Sequence, residues 1–277
     1  MIIDFHAHIF PSEMKNNREQ YLGRDPLFGL LYSNPKSKLS DADDLIASMD
    51  EHEIDMSVVL NIAWKSQDLC HETNDYILES VARFPHRLIG FAMVALDSPG
   101  AALKEIELCA NNGIKGIGEI RPSKTLLGNL AAWDPIINKI IADDLILLTH
   151  TSEPLGHIYP GKGDITPQEL YPLIAAFPDL RLVCSHWGGG LPFYGLMPEI
   201  KKTIRNIFFD TAASPYLYSP EIYRRVADLA GPDKILFGTD YPLLSPKRYL
   251  KEIASLNLVP QVKNQILSEN ALKLLGI

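Results

Sequence analysis

The sequence predicts an α/β fold: a (β/α)8 TIM barrel forming a single domain over residues 1–277, with a long loop after strand 1 and an extra C-terminal helix. Three observations predict it. Eight short, β-rich apolar runs alternate with amphipathic segments along the whole chain, the pattern of βα units around a parallel sheet. At 277 residues and 46% hydrophobic composition the chain can bury one large core. The first run leads into FHAHIF, not into the glycine-rich phosphate turn that usually follows the first strand of a doubly wound open sheet.

The elements follow in order. IIDFH (2–6) is the first strand, and residues 9–39 separate it from its helix. Loops of this length in compact domains are usually functional or disordered. This one leaves the C-terminal end of strand 1, so it is expected over the barrel mouth as a partial lid. Ser40 with Asp43, ahead of Leu45, Ile46 and Met49, forms a capping-box pattern opening a helix that ends near His52. SVVLNI (57–62), LIGFAMV (88–94) and IKGIGEI (114–120) are strands 2 to 4, with Gly113 stopping the helix before the last. LILLTH (145–150) and RLVCSH (181–186) follow, separated by a helix that Thr166 and Pro167 open. IFFDTA (207–212) and ILFGTD (235–240) complete the eight, with Ser219-Pro220 opening and Gly231 closing the helix between them. Ser245-Pro246 opens the next helix, and QVKNQILSENALKLLGI (261–277) reads as a helix packing back on the barrel.

Composition narrows the function. The formal net charge is -8, and no basic run exceeds Lys201-Lys202 or Arg224-Arg225, which argues against nucleic acid. No apolar run approaches the roughly 20 residues that cross a bilayer. A small-molecule substrate is expected, with a homo-oligomer left open. Cys70, Cys109 and Cys184 are few, odd in number and unpatterned, as in a reducing compartment. With no leader pattern at the N-terminus, the protein is expected to be cytoplasmic.

The chemistry lies at the strand ends. His6 and His8 share one face of strand 1, because alternate side chains of a strand point the same way. That pair alone is a weak signal, since histidine is often a half-buried polar residue. Strand 4 brings Glu119, strand 5 His150, strand 6 His186 and strand 8 Asp240. In a barrel these ends converge on one face, and imidazole nitrogen and carboxylate oxygen are the donors that zinc and similar ions accept. One or two divalent ions are expected, zinc foremost. Arg121 shares a face with Glu119 if the strand continues, so Glu119 is either a ligand or half of an ion pair. Lys115 has the same parity but lies about 13 Å deeper, as a barrel-layer residue. Asp4 shares parity with His6 and is expected behind the ligands or in a core layer. His52, His71 and His86 read as surface residues. His157 stands with Tyr159 and Lys162 in the loop after strand 5, as a substrate contact or a solvated position.

Together, DFHAH (4–8), LLTH (147–150), SHWGGGLPF (185–193), FFDTAAS (208–214), FGTDYPL (237–243) and SENALKLLGI (268–277) resemble the amidohydrolase superfamily. The likeness is to its amidohydrolase-2 branch, with the aminocarboxymuconate-semialdehyde decarboxylase-like enzymes, and spans the whole chain. It implies metal binding by His6, His8, His150 and Asp240, with His186 as a further ligand or a catalytic hydrogen-bonding group. The strand-4 Glu119 departs from the decarboxylases and is similar instead to the glutamate of TatD-type hydrolases that bridges two metals.

The expected activity is metal-dependent hydrolysis of a small-molecule amide, ester, lactone or related bond. Asp240 and His186 are its catalytic residues, with Asp240 handling the proton of a metal-activated water. If Glu119 bridges, His6, His8, Glu119 and Asp240 hold one ion and Glu119, His150 and His186 the other. Arg121, Trp187 and Tyr241 are candidate substrate contacts, Trp187 and Tyr241 being equally suited to packing. The alternatives are non-oxidative decarboxylation of an unsaturated or aromatic carboxylic acid, with one ion and Arg121 as a fitting anchor, a catalytically silent metal protein, and a TatD-type nuclease that the acidic balance disfavours.

Overall fold

In the computed structural model, which describes residues Met1–Ile277, eight parallel strands follow chain order around one sheet. They are β1 (Ile3–His8), β2 (Met56–Leu60), β3 (Leu88–Ala92), β4 (Gly116–Ile120), β5 (Ile146–Thr149), β6 (Leu182–Cys184), β7 (Ile207–Asp210) and β8 (Ile235–Leu236). The ring closes where β8 meets β1: the Phe5 N–H donates to the Phe237 carbonyl at 2.7 Å and the Asp240 N–H to the His6 carbonyl at 2.9 Å. The chain therefore forms the expected barrel.

Its apolar residues divide into two cores. Ile3, Phe5, Val58, Leu60, Ile89, Phe91, Ile146, Leu148, Val183 and Leu236 form a cluster with Ala271, Leu274 and Leu275. Strand residues of this set fill the barrel, and the three C-terminal ones come from the expected terminal helix, which closes the floor. The larger cluster, with Ala7, Ile117 and Cys184, lies between the strands and the surrounding helices. All three cysteines are free and buried.

Two strands break the simple alternation. Between Asp4 and Ala7 the register of β1 against β2 slips by a residue, and between Ile117 and Ile120 that of β4 against β5 does the same. Such an irregularity lets residues of unlike parity face the same way. Phe5 thus joins the interior cluster while His6 and His8 turn into the mouth above it. Asp4 loses the predicted parity and ties β1 to β8, accepting from the Thr239 N–H at 2.9 Å and its hydroxyl at 2.5 Å. Lys115 is corrected for the same reason: it is exposed at the start of β4 and belongs to no barrel layer. Gly118 sits in the second irregularity at φ +148, where a Cβ would come within 2.4 Å of the Leu148 carbonyl oxygen.

Several helix boundaries hold. Thr166 and Glu169 form a capping box on Pro167–Ala176, and the Ser245 hydroxyl caps Pro246–Ser255. The first capping box is shifted by one residue: Asp41 and Asp44, not Ser40 and Asp43, exchange the bonds, and the helix runs Ala42–Glu51. Pro220 lies in a turn, and the helix proper begins at Ile222. Residues 9–39 are not one loop, since they contain short helices at Ser12–Asn16, Arg18–Tyr21 and Pro26–Tyr32. Asp25 caps the last by accepting from the Leu27 and Phe28 N–H groups. No helix is long and apolar enough to cross a membrane.

Candidate metal centre

The six predicted ligands meet at the C-terminal mouth. Only His6, His8 and Glu119 lie within strands; His150, His186 and Asp240 stand one, two and four residues beyond theirs. The backbone bends to present them. His186 and Asp240 both adopt left-handed conformations, at φ 56 and 59, which cost a non-glycine residue about 1–2 kcal/mol each. In SHWGGG every residue from His186 to Gly190 has positive φ, so the glycines serve the turn that aims His186. At Gly189 (φ +58) a Cβ would lie 2.4 Å from the Ser152 carbonyl oxygen.

The rings are oriented from behind. His6 Nδ1 lies 2.9 Å from Asp210 Oδ2 and His186 Nδ1 3.0 Å from the Ala212 carbonyl, so each turns Nε2 inward. Asp210 also accepts from the His186 N–H at 2.9 Å and thereby couples two rings. His150 is turned the other way, with Nε2 on Ser152 Oγ at 3.1 Å and Nδ1 inward.

Two sets of donor atoms result, and Glu119 belongs to both. Glu119 Oε1, His150 Nδ1 and His186 Nε2 form a triangle with sides of 3.1, 3.3 and 3.2 Å. Atoms about 2.1 Å from one ion, at tetrahedral to octahedral angles, stand about 3.0–3.4 Å apart. The other set is looser. His6 Nε2 and His8 Nε2 are 3.1 Å apart, Asp240 Oδ1 is 3.8 and 3.2 Å from them, and Glu119 Oε2 is 4.0 Å from both.

The electrostatics match a cation site. Burial opposes charge on Glu119, yet His150, His186 and His6 hold its carboxyl well below the usual range. Burial likewise opposes ionisation of Asp240, but a hydrogen bond to His8 and the charge of His6 bring it to about 2. In return, burial's downward pull on His6 is outweighed by Asp210, which drives it to about 10, and Glu119 drives His186 to about 9. Burial and Arg121 instead depress His150 to about 4. The carboxylates thus recruit positive charge from imidazole, and a divalent ion would meet that demand while leaving the ring lone pairs free as ligands. The residues present fit such an ion.

Above the donors opens a cavity of about 640 Å³. Leu27, Leu31 and Tyr32 of the segment after β1 wall it, as a partial lid should, facing Ile62, Leu217 and Leu243. Arg121, His157 and Tyr159 also line it. Arg121 makes no ion pair with Glu119, whose oxygens face histidines. Trp187 and Tyr241 do not line the cavity. Trp187 is fully buried, donates to Ser214 Oγ at 2.9 Å and packs edge-on against Tyr223. Tyr241 stands 3.3 Å from the Ser40 hydroxyl. These two are packing residues because the chain turns left-handed at 187 and 240, carrying their side chains behind the mouth. Asp210 was missed by the sequence reading, although an aspartate ending the seventh apolar run, level with the other strand-end ligands, was the available signal.

A family model described as amidohydrolase matches residues 3–277. Among curated relatives, the 2-amino-3-carboxymuconate-6-semialdehyde decarboxylase of Dictyostelium discoideum is 22% identical, over 99% of this chain and 91% of its own. Among solved structures, 5-carboxyvanillate decarboxylase from Sphingomonas paucimobilis matches with a TM-score of 0.84 at 20% identity, covering 100% of this chain and 99% of the other. A dihydroxybenzoic acid decarboxylase from Polaromonas, with bound manganese and the inhibitor 2-nitroresorcinol, gives 0.77 at 20% identity over 99% and 96%. The curated relative, a decarboxylase matched over nearly the whole chain, overturns the expectation of hydrolysis. The physical reason is that a metal beside a proton-carrying carboxylate serves either reaction equally, so the ligand set could not choose between them.

Proposed function

The chain belongs to the amidohydrolase family, and on that premise we propose that it is a metal-dependent non-oxidative decarboxylase acting on an aromatic or unsaturated carboxylic acid. The observation that carries this is the likeness, over nearly the whole chain, to a curated decarboxylase; the cavity agrees with it, its largely apolar walls over Asp240 and Glu119 being suited to a planar acid.

His6, His8 and Asp240 would hold one ion and His150 and His186 a second, with Glu119 within reach of both. The nitrogen and carboxylate donors suit manganese or zinc, and the manganese of the Polaromonas relative makes it the first to test. When bound, such an ion supplies positive charge that holds substrate oxygens and stabilises the charge developing as the C–C bond breaks.

The chain's own residues do the rest. Asp240 takes a proton from an incoming substrate hydroxyl or from water and delivers it to the carbon bearing the departing carboxylate. The C–C bonding pair then returns to the substrate's unsaturated system, carbon dioxide leaves, and one proton is consumed. That return of electrons is why the acid must be unsaturated or aromatic. His186, locked by the Ala212 carbonyl and next to Glu119, positions the carboxylate's Oε1. Tyr32, Leu27 and Leu31 exclude water from above.

The test is carbon dioxide release from a panel of hydroxybenzoic and unsaturated acids by manganese-loaded protein in D2O. Release with one deuterium at the vacated carbon is expected, and chelation abolishes it. Failure of every acid to lose carbon dioxide would contradict the proposal.

A further inference from the structure

We propose that Arg121 marks an anion subsite at the neck between two chambers, and that the substrate carries there a second anionic group, retained while the first carboxyl is lost. Which carboxyl is lost rests on the decarboxylase reading; the subsite does not.

Arg121 is a cation without a counter-ion. It lies one residue past the end of β4, and its guanidinium donates to the Gly161 carbonyl. No carboxylate lies within ion-pair distance, although Glu119 is two residues away and faces His150 and His186 instead. A half-buried charge with an incomplete set of partners is costly to maintain unless an anion arrives to complete it.

The surroundings fix where that anion sits. A second cavity of about 660 Å³, lined by Trp64, Met93, Leu96, Leu126 and Ile158, adjoins the first. Leu27, Ala63 and Arg121 line both. The backbone of the loop after β5 presses on the guanidinium, since a Cβ on Gly163 would stand 3.0 Å from Arg121 Nη2 and 3.1 Å from the His150 ring. Other cations nearby are engaged or exposed: the Lys162 ammonium donates to the Leu155 and His157 carbonyls, and Lys38 faces solvent. A planar guanidinium presents a fork that matches a carboxylate. The occupant is therefore an acid with one carboxyl over Asp240 and a second anionic group at the neck, its substituent reaching toward the second chamber.

The test measures binding by calorimetry to manganese-loaded protein, with benzoate and the three benzenedicarboxylates as probes. At least one dicarboxylate should bind wild type about tenfold or more tightly than benzoate. That preference should vanish in Arg121→Met, return in part in Arg121→Lys, and leave benzoate affinity unchanged throughout. Two results overturn the proposal: no dicarboxylate preferred over benzoate by wild type, which needs no variant to fold, or an Arg121→Met that weakens benzoate as much as the dicarboxylates. Because binding is read without turnover, an intact preference alongside absent carbon dioxide release supports the subsite and counts against the decarboxylase reading alone.

Discussion

The floor and the mouth of this barrel are built by opposite rules. At the floor, strand residues and Ala271, Leu274 and Leu275 of the terminal helix make one wholly apolar cluster. At the mouth, two register irregularities, left-handed residues at His186, Trp187 and Asp240, and a buried set of imidazoles and carboxylates gather in or just beyond the strands. The difference shows where stability and chemistry reside. Apolar burial at the floor and in the outer shell holds a frame stiff enough to keep strained backbone and buried charge at the other end.

Substitutions at each end should separate the two. Asp240→Asn should lower turnover by about 10²–10⁴-fold, the usual worth of a proton-transferring side chain, with the thermal midpoint nearly unchanged. Loss of folding in that variant would mean that the mouth also carries the frame. Phe91→Ala, in the floor cluster against Phe5, should cost about 3–5 kcal/mol in denaturant unfolding. Its metal content at low temperature should stay that of the wild type, and loss of metal would break the separation.

Between these lies Gly189→Ala. The new Cβ must displace the Ser152 carbonyl, so a stability loss of about 1–3 kcal/mol is expected. Because Ser152 holds His150 through Nε2, this change should also reduce metal occupancy, which a pure packing effect would not do.

The smallest effect concerns the cover of the mouth. Asp41 accepts from Ser12 and Lys15, tying the helical segment after β1 to Ala42–Glu51. Burial would raise its carboxyl, but the Lys15 ammonium and its capping bonds hold it at about 2, against about 4 in an unfolded chain. A lowered folded pKa contributes stability that is complete above pH about 4 and is lost as pH falls toward 2. Asp41→Asn keeps a capping oxygen but loses the pair with Lys15, so it should cost at most about 1 kcal/mol at pH 7, and the gap to wild type should close in acid unfolding curves below pH 4.

The floor was more legible in sequence than the mouth. Strand order, the terminal helix and the apolar runs follow from periodicity, which the floor obeys. The ligand types were legible too, because imidazole and carboxylate at strand ends have few other reasons to cluster. What periodicity could not convey was the geometry. The slips before His6 and Glu119 separated Asp4 and Lys115 from their predicted faces, and the left-handed turns carried Trp187 and Tyr241 out of the cavity. Asp210, acting through His6, ends an ordinary strand and was passed over. The reaction was not legible, since the same donors suit hydrolysis and decarboxylation.

The central claim, that the mouth is a metal centre joined through Glu119, is tested most directly by metal content after reconstitution with manganese. Wild type should hold two equivalents and Glu119→Gln fewer, with the fold intact by circular dichroism. One equivalent, unchanged by Glu119→Gln, would contradict it.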